Sequence, residues 1–330
     1  MPIRIKDLLA QIPSDTEKVV AQTRTRFNNA VRQMLRQETG LRLTGSKDTE
    51  ENEKETHAIR VFVEPGVPAE LQNLQLDDDK WLAILIAPWR AQLERLKESS
   101  IDVRSNLLGS LPKELVCEGQ FAGIGLKLND AACFADHLLK IAAQFDLVKE
   151  LHAIDDDILG QYRWLHKNGQ TSASTHLFWG VIGLVARSLG VSIEGLTVKV
   201  LAHELAHAYT HLGADIDGHR WDNTDFKNTE RAVKEGLAQY YTQQLLVRLR
   251  NRMPEAEQAY SELLPHQPDD YRVQKKWIEE GATPEHIRLA MVRFRRGRKK
   301  TLIEFETLLK QAAESLGTKS KQSSMFEDEE

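Results

Sequence analysis

The sequence predicts an α+β fold that is mostly helical, with a small antiparallel sheet or hairpin just ahead of a histidine-rich helix. Three observations carry this expectation. Long segments repeat their apolar residues at helical spacing. Two short β-like runs flank a polar turn near the middle of the chain. The helix at 192–213 opens on Ser192 and stops at Gly213, residues suited to cap its two ends. A length of 330 residues suffices for one large domain or two modest ones.

In order along the chain, SDTEKVVAQTRTRFNNAVRQMLRQETG (14–40) reads as a helix. Ser14 is its expected N-cap, with Glu17 three residues on and Gly40 as its stop. TGSKDTEENEKETH (44–57) is charged and aperiodic, a linker or mobile loop. AIRVFVEPG (58–66) reads as a short strand ended by Pro-Gly, and 77–100 as a helix that Pro88 kinks or splits. Residues 101–128 have no single period, although ELVCEGQFAGIGLKL has strand character. Residues 129–153 read as one long amphipathic helix opened by Asn129. ILGQYRWL (158–165) and STHLFWGV (174–181), separated by HKNGQTSA, read as an antiparallel hairpin. The histidine-rich helix follows at 192–213, a polar loop next, and another long helix at 229–253. Further helical segments gather around Pro254, Pro268 and Pro284, and the polar tail from 317 to 330 reads as disordered.

Composition excludes several classes. The chain is 41% hydrophobic and 28% charged, ordinary for a globular protein, and its net charge of −5 offers no global attraction to nucleic acid. The N-terminus lacks the unbroken apolar core of a signal peptide. WLAILIAPW (81–89) and FWGVIGLVA (178–186) are too short to span a bilayer. Cys117 and Cys133 are the only cysteines, too few for a disulfide scaffold and consistent with a reducing compartment. The expectation is a soluble cytoplasmic protein.

The chemistry concentrates in VLAHELAHAYTHLGAD (200–215). HELAH matches H-E-x-x-H: His203 and His207, four apart, share one helix face and can converge on a zinc ion at roughly 2.0–2.1 Å each. Glu204 flanks that position and suits action on water better than ligation. His211 continues the stripe, but it lies about 12 Å along the helix from His203, beyond the reach of one ion. Nor does the metzincin spacing hold, because Tyr209 and Thr210 stand where its glycine turn would fall. Asp215 and Asp217 in the following loop are weaker ligand candidates, lacking a helical scaffold.

In the next long helix, KEGLAQYY (234–241) resembles the E-G-x-A-x-Y segment of gluzincin metallopeptidases, with Glu235, Gly236, Ala238 and Tyr240 matching as they stand. The resemblance covers 203–241, and about ninety residues if the hairpin is the substrate-lining edge those enzymes carry. It implies a zincin-like catalytic domain at 121–316, Glu235 as the third zinc ligand, and peptide hydrolysis with Glu204 as the base. Gly236 would let its helix approach the first closely. The connection between the two helices is longer than in thermolysin-like relatives. Their aspartate behind a zinc-bound histidine is replaced here by Gln239, still able to accept a hydrogen bond.

The expected partner is a protein or peptide substrate, with neither membrane nor nucleic acid. The oxyanion donor is open among His219, Tyr240, Tyr241 and Tyr271. Residues 1–120 read as an accessory or propeptide-like region. The basic run RFRRGRKK (293–300) reads as a solvated helix end, Cys117 as inert, and the aromatics of 164–179 as core. The competing expectations are a zinc hydrolase of a non-peptide amide and a non-catalytic helical module with a structural metal site.

Overall fold

The computed structural model describes residues 3–43, 59–71, 75, 76, 78–99, 111, 130–154 and 158–327. In chain order the helices are α1 (Ile5–Leu9), α2 (Thr16–Thr39), α3 (Asp78–Ile86), α4 (Arg90–Glu98), α5 (Ala131–Ala143), α6 (Leu147–Ile154) and α7 (Trp179–Leu189). They continue as α8 (Ile193–Leu212), α9 (Asn223–Asn228), α10 (Arg231–Leu249), α11 (Pro254–Leu263), α12 (Val273–Glu279), α13 (Pro284–Arg296) and α14 (Leu302–Glu327). The strands are β1 (Ile3–Arg4), β2 (Ile59–Glu64), β3 (Gln75–Leu76), β4 (Gly160–Lys167) and β5 (Gln170–Phe178). The fold is therefore mostly helical with a small sheet. No described helix is long and apolar enough to cross a membrane.

β1 and β3 pair as a two-stranded antiparallel sheet, and the three-stranded sheet is mixed, ordered β2-β5-β4, because β2 joins β5 in parallel. The hairpin β4–β5 is longer than its sequence suggests. Its turn is only Asn168-Gly169, both at positive φ (53° and 73°), the two-residue geometry that matches strand twist. Most of the polar stretch taken for a turn is thus paired strand, while Trp179–Val181 belongs to α7. His176 braces the sheet: its Nδ1 lies 2.5 Å from Glu64 Oε1 and its Nε2 2.7 Å from Ser174 Oγ. The connectivity resembles a nucleophile–base–carboxylate relay. Because β5 is paired along both edges, its backbone N–H groups are committed to the ladders and do not form an oxyanion hole beside Ser174.

Several helix boundaries move for identifiable reasons. α2 starts at Thr16, whose hydroxyl donates to Pro13 O, so Ser14 is not its cap; Gly40 does end it in the left-handed conformation. Pro88 sits in a 3-10 turn that divides α3 from α4. The single helix expected at 129–153 is two, because Asp146 accepts the Lys149 N–H and starts α6 afresh. Asn129 and the stretch 112–128, Cys117 included, lie outside the described residues. α14 runs on to Glu327 through most of the tail expected to be disordered. No proline interrupts it, and extending a formed helix costs little.

α8 sits at the centre. Every residue from Gly195 to His211 is buried, so neighbours surround it on all sides. Ser192 caps it by accepting the Gly195 N–H, as expected. α2 lies along it with Val20, Phe27, Val31 and Leu35 buried at helical spacing, and Tyr209 of α8 donates its hydroxyl to Arg32 O. Past the helix ends, Arg42 and Ala214 exchange backbone hydrogen bonds. Residues Leu8 to Leu41 of the expected accessory region thus share one core with α8. A second, smaller core straddles residue 120, formed by Ile86, Leu93 and Leu96 with Phe134, Ala135 and Leu138.

Candidate metal centre

A wholly buried helix that carries Lys199, His203, Glu204, His207 and His211 must answer for each polar group, since burying one without a partner costs several kcal/mol. Lys199, His203, His207 and His211 repeat every fourth residue and so share a stripe.

Two of the histidines meet a carboxylate. α10 packs against α8 and brings Glu235 Oε2 to 3.1 Å from His203 Nε2 and 3.3 Å from His207 Nε2. The two Nε2 atoms are 3.2 Å apart. Ligands at about 2.0–2.1 Å in tetrahedral array around one ion stand roughly 3.3 Å from each other. The three donors therefore already have the spacing that one metal ion requires, and they form a buried metal-competent group. Burial, reinforced by the charge of Lys199, lowers the His203 pKa to about 3, so its imidazole is neutral, as ligation demands. Burial alone would raise the Glu235 pKa, but the two histidines outweigh it and hold the carboxyl well below its ordinary value.

Glu204 stands beside this triangle in a cleft also lined by His152, Leu159, Lys199, Gln267 and Tyr271. Gly160, the first residue of β4, gives it room. A Cβ there would lie 2.6 Å from Val200 Cγ1, 2.9 Å from Glu204 Cγ and 3.1 Å from Glu204 Oε1. The free space in the cleft is about 10 Å³, close to what one water needs. Burial lowers the Lys199 pKa to about 8, partly offset by attraction to Glu204 and Glu235, so its ammonium stays charged at neutral pH.

His211 is not part of the triangle. Asn223 uses its Nδ2 on His166 and Thr171, so its Oδ1 faces His211 and accepts from Nε2 at 3.0 Å. Nδ1 of His211 then accepts from the Tyr162 hydroxyl at 3.0 Å. Phe226 stacks on the ring at 4.0 Å and Trp164 meets it edge-on. Burial lowers its pKa to about 3 despite the Asn223 contact, so the residue is neutral, not the cation favoured at an exposed helix end. Tyr162 also stacks on His207 at 6.5 Å and links His211 to a member of the triangle.

Other expected contributors fall elsewhere. Asp215 and Asp217 both accept from Arg296, at 2.7 and 2.6 Å, and are not beside the triangle. Of the four oxyanion candidates, Tyr271 reaches the cleft and stacks on His203 at 5.5 Å. Tyr241 donates to Met291 Sδ, Tyr240 packs beside it, and His219 is exposed in the loop. Gln239 donates to Gln267 Oε1 at 2.8 Å; neither its own Oε1 nor His203 Nδ1 has a hydrogen-bond partner among the described residues. The basic run is structural: Arg295 donates to Gly213 O and His219 O, and Lys300 donates to three backbone carbonyls. The Arg295 contacts hold the loop after α8, while Arg296, Arg298 and Lys299 stay exposed, so the run is a solvated helix end only in part.

Gly236 serves a different neighbour from the one expected. It lies about 100° round α10 from Glu235, and a Cβ there would meet Val273 and come within 2.5 Å of Trp277 Cη2. Its glycine admits α12, not α8. Gly236→Ala is expected to destabilise the chain by about 1–3 kcal/mol through overpacking, despite the gain in helix propensity. Urea unfolding measures this, and an unchanged midpoint would refute the tight contact.

Acid has a directional effect on the metal-free chain. His203 and His211 take up their protons near pH 3 when folded but near 6.5 when unfolded. Between those values the unfolded state binds more protons, so stability is full above about pH 6.5 and declines as pH falls toward 3. The expected slope is about 1.4 kcal/mol per pH unit for each histidine. Denaturant titrations between pH 7 and 5 would show it, and a flat profile would mean that the rings are charged in the fold.

Lys199, Gly160, Gln267 and His152 are among the cleft residues that sequence reasoning missed, with the apolar Ile158, Leu159 and Val200. Lys199 was within reach, since it sits one turn before His203 on the same stripe. No sequence signal brings Gly160 or Gln267 to Glu204. The sequence matches no protein-family model, and no curated protein or solved structure is significantly similar to it.

Proposed function

We propose that the chain is a zinc-dependent, gluzincin-like hydrolase of peptide bonds with a zincin-like catalytic fold. The observation that supports this reading is the buried triangle of His203, His207 and Glu235 donors, with Glu204 beside it in the same cleft. A zinc ion held there would polarise a carbonyl and make water more acidic. Glu204 accepts a proton from the attacking water and delivers it to the leaving nitrogen. Gly160 lets β4 pack closely against that carboxylate, where any side chain would collide with it. Tyr271, stacked on His203, is the donor best placed to steady negative charge on the substrate oxygen. A purely structural site would not need Glu204 in this position.

The small free volume of the cleft favours a second reading, hydrolysis of a compact non-peptide amide. Either substrate needs more room beside Glu204 than the cleft leaves.

Metal analysis of protein purified without chelators is expected to give about one zinc per chain, together with cleavage of a mixed peptide library. Protein free of zinc that takes none up would sink the proposal. Zinc without peptide cleavage, but with release of amine from small amides, would select the second reading.

A further inference from the structure

The catalytic reading leaves one charge in the cleft unassigned. Lys199 is 2% exposed and lies on the same wall as His203 and Glu204. Its ammonium makes no hydrogen bond or ion pair with any described residue, although charged groups in protein interiors are nearly always paired. Glu204 and Glu235 are the described carboxylates that act on it, and a zinc ion would engage both, Glu235 as ligand and Glu204 through the water it activates. A negatively charged substrate group would complete the cleft.

We propose that Lys199 anchors a substrate carboxylate lying within one or two residues of the bond to be cut; this rests on the zinc hydrolase reading above. The spacing follows from the helix. Lys199 and His203 are four residues apart, a rise of about 6 Å. An extended peptide covers that distance in roughly two residues at about 3.3–3.6 Å each. A carboxylate on Lys199 therefore places a carbonyl one or two residues away beside the His203–His207–Glu235 triangle. The carboxylate has two sources, the free C-terminus of a peptide or the side chain of an aspartate or glutamate.

Both sources can be tested by equilibrium binding without turnover. Zinc-loaded Glu204→Gln protein is titrated calorimetrically with three blocked tripeptides of one sequence. One ends in a free carboxylate, one in a carboxamide, and one in a carboxamide with glutamate in place of the last residue. Expected is at least tenfold tighter binding of one or both carboxylate peptides over the neutral one, lost when Lys199→Met is added and kept with Lys199→Arg. Preference for the free terminus identifies an exopeptidase subsite, and preference for the glutamate side chain an acidic endopeptidase subsite; both support the anchor. Equal binding of the three peptides, or a preference that survives Lys199→Met, overturns it and assigns the lysine only to balancing Glu204 and Glu235. Should Lys199→Met fail to fold, the ranking of peptides on protein that retains Lys199 decides. Zinc-free protein would defeat the hydrolase reading and the anchor together, whereas zinc with indifferent binding defeats the anchor alone.

Discussion

Glu204→Gln is expected to cut turnover by about 10²–10⁴-fold, the usual contribution of a positioned general base, while zinc content stays that of the wild type. The substitution keeps the shape of the side chain and removes its ability to take a proton. β4 packs tightly on Glu204 at Gly160, and the nearly isosteric amide fits there without displacing it. Glu204 is one residue round the helix from His203 and is not one of the three clustered donors, so the variant leaves them intact. Peptide cleavage assays with metal analysis on the same samples provide the check. Full activity would remove Glu204 from the base role. Loss of zinc along with activity would make it a ligand instead.

Glu235→Ala is expected to weaken zinc retention by about 10²-fold or more, since removing even a residue behind a ligand costs 10–100-fold. Only two imidazoles would remain, and the carboxylate that neutralises half of a divalent charge would be gone. His211→Ala separates stripe membership from ligation. It strands the Tyr162 hydroxyl and Asn223 Oδ1, at a cost of about 1–3 kcal/mol in stability. Its effect on zinc retention is expected to stay within tenfold, transmitted only through Tyr162 stacked on His207. Competition against a chelator measures both variants. Strong zinc loss in His211→Ala with little in Glu235→Ala would invert the ligand assignment.

The legible parts of the chain were those governed by local rules. Ser192, Gly40 and Pro88 act at their helix ends or breaks because capping and proline geometry are set within one turn. The His203–His207 pair was legible because a helix fixes side chains four apart. Glu235 was reachable only through resemblance, since nothing local says which carboxylate of a second helix will face the first. Gly236 shows the limit: its glycine was recognised as a packing signal, but its partner, Trp277, is a tertiary fact. Register was similarly hidden at the hairpin, where Asn168-Gly169 alone makes the turn and polar neighbours such as Ser172 are strand residues facing outward. Lys199 escaped for a different reason: a lone lysine in a helix usually faces water, and only the burial of all sides of α8 reveals otherwise.

The contact of α2 along α8 ties the first forty residues to the helix that carries His203 and His207. Tyr209 holds Arg32 O, and Arg42 and Ala214 close the far end, so neither helix can lose its backbone hydrogen bonds without exposing the other's apolar face. The two helices are therefore expected to open as one cooperative unit. An ion held by the clustered donors of α8 and α10 would stabilise only the closed form and so would slow amide hydrogen exchange in α2, which contributes none of the three donors. The reverse also holds by reciprocity: whatever grips or loosens α2 shifts the affinity of the distant triangle by the same factor.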